Sequence, residues 1–219
     1  MAKRARRRGR FALCVLALAL VALPLAAQQP QRDADYRLIS PQPVATGERV
    51  EVIEFFFYAC PYCNELEPLL ERWRKRKPAD LVFRRVPVVR HDSWVPLAKT
   101  YYALEAMGEA ERLHAAVYHG IHVDDLALSQ EKVLTEWLGK QGLDRDQFMA
   151  IYRSDAIREK VELSRRMTID YEIKATPTLV VDGRFLTSSG MTDGVPRVIP
   201  VLDGLISLAR QRRLATSGK

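Results

Sequence analysis

Cys60-Pro61-Tyr62-Cys63 constrains this chain more than any other stretch, because of what flanks it. Before it, Val50 to Phe57 is an almost unbroken apolar, β-prone run, as expected of a central strand covered on both faces. After it the pattern turns helical toward Lys77. Pro61 suits the first helical position, where its missing N–H breaks no intrahelical bond. A C-x-x-C at a strand-to-helix junction reads as a redox pair. Its spacing puts both sulfurs in the first turn, where free N–H groups and the helix dipole favour a thiolate. The thiolate is the form that attacks or leaves in disulfide exchange. The chain is expected to make or move disulfide bonds.

Residues 1–27 read as a secretory signal peptide. Lys3, Arg4, Arg6, Arg7, Arg8 and Arg10 form a basic head, an apolar core runs from Phe11 to about Leu23, and Pro24-Leu25-Ala26-Ala27 is a small-residue exit. The apolar run is short for a membrane span, although an uncleaved anchor is the alternative. Cys14 sits at the start of that core and reads as a small hydrophobe. The whole chain holds 34 Lys and Arg against 27 Asp and Glu, but removing the six basic residues of the leader leaves 28 against 27. The overall +7 therefore reflects the signal head and implies no nucleic-acid partner. Beyond residue 27 only Cys60 and Cys63 remain, and a single C-x-x-C in an exported chain argues for a working disulfide rather than a structural framework.

The rest of the chain divides by periodicity. Gln28 to Gly47 reads as a Pro- and Gln-rich leader with a short edge strand at Tyr36 to Ile39. Pro68 is expected to kink the first helix. Leu81 to Val89 forms a second strand, interrupted by Pro87. A helical block follows. Ser93 is placed as the cap of a helix carrying Trp94, Leu97, Tyr101 and Leu104 and stopped by Gly108. Leu113, Val117 and Ile121 continue at helical spacing, Leu134, Trp137 and Leu138 end at Gly139, and Asp144 with Gln147 resembles a capping box. Ile157, Val161 and Met167 line a last helix before Tyr171. Strands then return at Thr178 to Val181 and Arg184 to Thr187 around Asp182-Gly183, a hairpin signal. A closing helix spans about Pro196 to Arg210, with a frayed tail at 211–219.

With the motif, the leader, the helical block and the Thr176-Pro177 step all in view, the chain resembles the DsbA family of periplasmic thiol:disulfide oxidoreductases. The resemblance covers about Tyr36 to Arg210 and implies an α/β chain, a thioredoxin fold with an inserted all-helical domain. It divides the chain into a discontinuous thioredoxin-like domain, 28–89 and 168–210, and a helical insertion at 90–167. It further implies Cys60 as the reactive sulfur, Cys63 as the buried resolving one, and Thr176-Pro177 as a cis step facing them. Substrate is expected against Thr176, Pro177, Pro61 and Tyr62, with the backbone beside the cis bond pairing to the peptide. Unfolded exported proteins with free cysteines are the implied substrates, and a DsbB-like quinone-linked membrane oxidase the implied partner. No cofactor is expected. The family's best-known members carry Pro-His between the cysteines, whereas Pro-Tyr is also typical of glutaredoxins. Tyr62 offers only a phenol beside the thiolate, which bears on oxidising strength and not on reaction class.

Each site residue also has a plainer reading. The cysteines could be structural, although the loop they close is too small to constrain the unfolded chain much. They could bind zinc with His119 and His122, but the H-x-x-H spacing is short and those histidines fall in the distant helical block, so no metal is expected. Glu54, on an otherwise apolar strand, would be desolvated and hold a proton, fitting it to serve Cys63; otherwise it reaches solvent at a strand end or pairs with a lysine. Pro177 could be an ordinary turn proline. Glu67, one turn past Cys63 on the same helix face, could tune the field there, but a solvated surface charge is the favoured reading. Tyr58, Trp94, Tyr101 and Tyr102 suit either a substrate groove or the helix core. Rival functions are a reductase, isomerase or glutaredoxin-like exchanger using the same cysteines, and a peptide-binding chaperone.

Overall fold

The computed structural model describes residues 29–217; residues 1–28, which hold the signal segment, and the last two residues lie outside it. Five strands form one sheet in the order β1-β5-β4-β2-β3, with β1 Arg37–Leu38, β2 Val50–Phe56, β3 Leu81–Pro87, β4 Thr178–Val181 and β5 Phe185–Ser188. Only β2 and β3 run parallel, joined through helix α1, Pro61–Arg74; the other pairings are antiparallel. All seven residues of β2 are buried, as its apolar run requires of a strand covered on both faces.

Strand periodicity sets what each face carries. Val50 and Val52 of β2 join Leu66, Leu70 and Trp73 of α1 and the closing helix α7, Val198–Ser217, in one core. Ile53 and Phe55 point the other way, into a core with Val86, Tyr171 and Ile173. Glu54 and Arg85, paired in register across β2 and β3, therefore share the α1 face. The helical block follows β3: α2 Val95–Ala106, α3 Ala110–His122, α4 Glu131–Lys140, α5 Arg145–Tyr152 and α6 Asp155–Asp170. Its core includes Leu104, Val117, Leu134, Trp137 and Phe148, and it extends to Phe56, Tyr58 and Cys63. The block thus packs against the redox pair itself. Helix α6 runs across residue 167 without a break.

Several local expectations need correction. Ser93 caps nothing: it lies inside a 3-10 turn, Asp92–Trp94, which feeds α2 directly. The α1 helix includes Pro68 and ends at Arg74, short of Lys77. The second strand ends at Pro87, the closing helix begins after a 3-10 turn at Val195–Arg197, and the fifth strand starts one residue later than Arg184. The tail is helical to Ser217, because Arg210 pairs with Asp80 at 2.8 Å and Arg213 with Asp182, tying the last turns to the sheet. Asp144 does cap α5, accepting from the Gln147 N–H at 2.9 Å. The hairpin turn has positive φ at both Asp182 and Gly183. A Cβ on Gly183 would lie 2.5 Å from the Gln42 carbonyl oxygen, so only glycine fits.

Candidate active site

Cys60 is the N-cap of α1, with Pro61 following it, and no acidic side chain sits in that first turn to compete for the free N–H groups. Cys60 is half-buried and Cys63 fully buried. The two sulfurs therefore have opposite protonation behaviour. Cys60 is drawn down to about 5, first by the hydrogen bond from the Cys63 thiol and then, against partial burial, by Thr176 and the backbone of Cys63 and Tyr62. Burial, then the hydrogen bond with Cys60, push Cys63 well above an ordinary thiol.

The Thr176-Pro177 bond is cis and lies over the pair. As a thiol, Cys60 donates from Sγ to the Thr176 carbonyl at 3.2 Å. Pro177 is buried, Thr176 half-buried, Pro61 and Tyr62 exposed. The Tyr62 ring is 60% exposed, so its phenol faces solvent while its backbone serves Cys60.

Glu54 is completely buried and pairs with Arg85 rather than with a lysine, accepting from Nε at 2.9 Å. Burial raises its pKa against the opposing Arg85 charge, and its field is in turn felt at Cys63. The reading of Glu67 as a surface charge is wrong. It is 4% exposed, and both its oxygens accept from Arg85 at 3.0 Å. Burial raises it too. The expectation failed because α1 lies on the sheet with this face inward, where a second carboxylate becomes tolerable beside a buried guanidinium.

Two residues went unread in the sequence. Arg85 sits among β-prone neighbours, and an arginine on a strand ordinarily marks an exposed position; its Val86 and Phe83 neighbours gave no contrary signal. His114 carries no motif of its own in the sequence, yet it is 1% exposed beside Tyr58. Of the histidines weighed as zinc ligands, His122 is not distant. Its Nε2 bonds the Tyr58 carbonyl at 2.8 Å, in the loop leading to Cys60, while His119 contacts Asp124. Tyr58, Tyr101 and Tyr102 are core residues, and Trp94 stacks on Phe57 with ring centres 3.9 Å apart.

Residues 51–198 match the DSBA-like thioredoxin domain family. The thiol:disulfide interchange protein DsbA of Burkholderia cepacia is 36% identical over 187 residues, covering 84% of this chain and 88% of its own. The DsbA of Azotobacter vinelandii is 33% identical over 77% of this chain and 78% of its own. Among solved structures, Pseudomonas aeruginosa DsbA superimposes with a TM-score of 0.79 at 29% identity, covering 86% of this chain and 97% of that one. A half-exposed thiolate over a buried partner, on a thioredoxin fold carrying a helical insertion, agrees with these matches, and the chain belongs to the DsbA family of thiol:disulfide oxidoreductases.

Proposed function

We propose that this protein oxidises exported polypeptides, donating the Cys60–Cys63 disulfide through a mixed disulfide at Cys60. The observation that carries this direction is the split between the two sulfurs: Cys60 near 5 and half-exposed, Cys63 buried and raised. A substrate thiolate reaches only Cys60. Attack there forms the substrate–Cys60 bond and expels Cys63 as a thiolate, which takes a proton from Glu54. A second substrate thiolate then attacks the substrate sulfur and expels Cys60, whose low pKa makes it a good leaving group. The substrate gains a disulfide, and the enzyme retains two electrons as Cys60 thiolate and Cys63 thiol. The stabilised thiolate favours the reduced enzyme and so drives the oxidation.

The exposed Pro61 and Tyr62 and the backbone at Thr176 and Pro177 supply the docking edge for an extended substrate, a form of strand addition. The basic head and apolar run of residues 1–27 support export to the periplasm. Return to the disulfide form requires an oxidant, for which a DsbB-like quinone-linked membrane protein is the partner. The same reading takes 28–89 and 168–210 as the thioredoxin-like unit and 90–167 as the insertion.

Equilibration with glutathione tests the direction. A reduction potential near the roughly −120 mV known for DsbA proteins supports an oxidant. A value below about −200 mV sinks that reading and favours the glutaredoxin-like exchange that Pro61-Tyr62 would suit.

A further inference from the structure

Helix α3 of the insertion brings His114 to the buried charges beside the redox pair. His114 Nδ1 lies 2.9 Å from the Tyr58 hydroxyl, and Nε2 lies 3.4 Å from Glu67 Oε2. Glu54, Glu67 and His114 each offer an atom within 4.8 Å of the other two. Four buried atoms there, Glu54 Oε1, His114 Nε2, Tyr118 Oη and Arg74 Nε, have no hydrogen-bond partner. A divalent metal could use such a trio, but the Arg85 guanidinium already donates to both carboxylates and is the cation of the site.

The charges facing this point do not balance. From β2 comes Glu54, from β3 Arg85, from α1 Glu67, Glu71 and Arg74, and from α3 Glu111. Phenols of Tyr58, Tyr101 and Tyr118 close the remaining sides. Four carboxylates thus meet two guanidiniums. Glu71 and Glu111 reach water, with side chains 32% and 68% exposed, so the surplus charge falls on the buried Glu54–Glu67 pair. That pair is expected to hold one proton, as two close carboxylates in a dry site do.

His114 Nε2 lies 3.4 Å from Glu67 Oε2, so a proton on that carboxyl satisfies it. We propose that His114 is a positioning residue for this proton. It is the neutral tautomer with hydrogen on Nδ1, donated to the Tyr58 oxygen, so that its bare Nε2 accepts the O–H of Glu67 when the proton of the Glu54–Glu67 pair sits there. Burial, which draws His114 down to about 3, keeps the ring neutral as this requires. When Cys63 leaves as a thiolate, the proton of the pair passes from Glu67 through Glu54 to its sulfur, and the hydrogen bond to His114 breaks. The carboxylate pair then regains a proton from water on its Glu67 side, beside the part-exposed Glu71, and the bond to His114 reforms. The inserted block therefore supplies a working part of the exchange reaction. This inference rests on the reading of Glu54 as the acid serving Cys63.

The test needs the full folded enzyme. Nitrogen-15 histidine NMR of the oxidised protein at neutral pH should show His114 neutral, with hydrogen on Nδ1 and none on Nε2. A hydrogen on Nε2, or an imidazolium, overturns the proposal. Single-turnover reduction by a cysteine-containing peptide gives the second reading. His114→Leu should slow it by roughly tenfold, a fraction of the roughly hundredfold or more that a transferring acid contributes. His114→Gln, whose amide oxygen can accept, should restore most of the rate. Cys60 should titrate near its original value in both variants. A His114→Gln as slow as His114→Leu overturns the proposal. Glu54→Gln separates the two readings: an unchanged rate overturns the acid role and this inference together, while a slowed Glu54→Gln beside an unimpaired His114→Leu overturns this inference alone.

Discussion

The Cys60 thiolate should make the reduced protein more stable than the oxidised one by a margin that depends on pH. In the fold Cys60 titrates at about 5, against an ordinary 9.0 for the unfolded thiol. At pH 7 the sulfur is therefore ionised about two pH units past its midpoint in the folded state only. At about 1.4 kcal/mol per unit, this amounts to about 2.7 kcal/mol. Cys60 is only half-buried, so solvent screening reduces the figure to about 1.4 kcal/mol. In a chain of this size each kcal/mol moves Tm by about 2–4 °C, giving roughly 3–6 °C. Because the folded value is the depressed one, the contribution is absent below about pH 5, grows with rising pH and is complete only above about pH 9. Cys63, raised by burial, stays a thiol throughout the lower range, and Glu54 and Glu67 are present in both redox forms. Calorimetry on both forms at pH 5 and pH 7 isolates the effect as the change in the gap between their Tm values. A gap that stays flat, or one that widens as the pH falls, refutes the assignment of Cys60 as the stabilised thiolate. Reduced Cys60→Ala should show no such pH dependence.

Replacing Arg85 with Met should cost about 3 kcal/mol in urea unfolding at neutral pH, since it strands two buried carboxylates. Their folded pKa values then rise further above the unfolded ones, so the loss should shrink at pH 5; equal losses at both pH values would refute the buried-charge account. Asp182→Asn tolerates the positive φ of the turn but loses the Arg213 ion pair, and should lower stability by about 1 kcal/mol; unchanged unfolding midpoints would show that this pair does not hold the last helical turns. Tyr62→His adds a donor beside Cys60 and should lower its midpoint further. Glutathione equilibration should show a potential higher by about 30 mV for each 1.4 kcal/mol gained, and a fall in potential would contradict the helix-terminus electrostatics.

The order of the elements was legible because their signals are local. A largely apolar strand, a C-x-x-C with Pro61, an Asp-Gly turn and the cap at Asp144 each act over a few residues. Glu54 stood out because a carboxylate in Val-Ile-Glu-Phe-Phe has no water to reach. What escaped was every partner it has. Arg85, Glu67 and His114 come from β3, α1 and α3, and each by itself has an ordinary exposed or core reading. Only the register of β2 on β3 and the seating of the insertion bring them to one point. Ser93 and the tail at 211–217 failed for a related reason. Their local signals are cap and loose end, and tertiary contacts through Trp94, Arg210 and Arg213 override both.

The division of labour between the two sulfurs explains why the buried charges lie where they do. Disulfide exchange at this site has two steps with different leaving groups. In the second, Cys60 leaves with a pKa near 5, held there first by the hydrogen bond from the Cys63 thiol and then by Thr176 and the first-turn N–H groups. In the first, Cys63 leaves into an apolar pocket walled by Phe56, Tyr58 and Tyr118, where a bare thiolate is costly. A fixed cation beside Cys63 would lower that cost but would also stabilise its thiolate, erasing the asymmetry that directs attack to Cys60. A proton donor does not have this drawback, because it neutralises the leaving sulfur only after it has left. Such a donor must stay protonated at neutral pH, which demands burial, and must still be soluble in the fold, which demands a counter-charge. In the proposed mechanism Glu54 on β2 is that donor: burial raises its pKa, and Arg85, shared with Glu67, supplies the counter-charge.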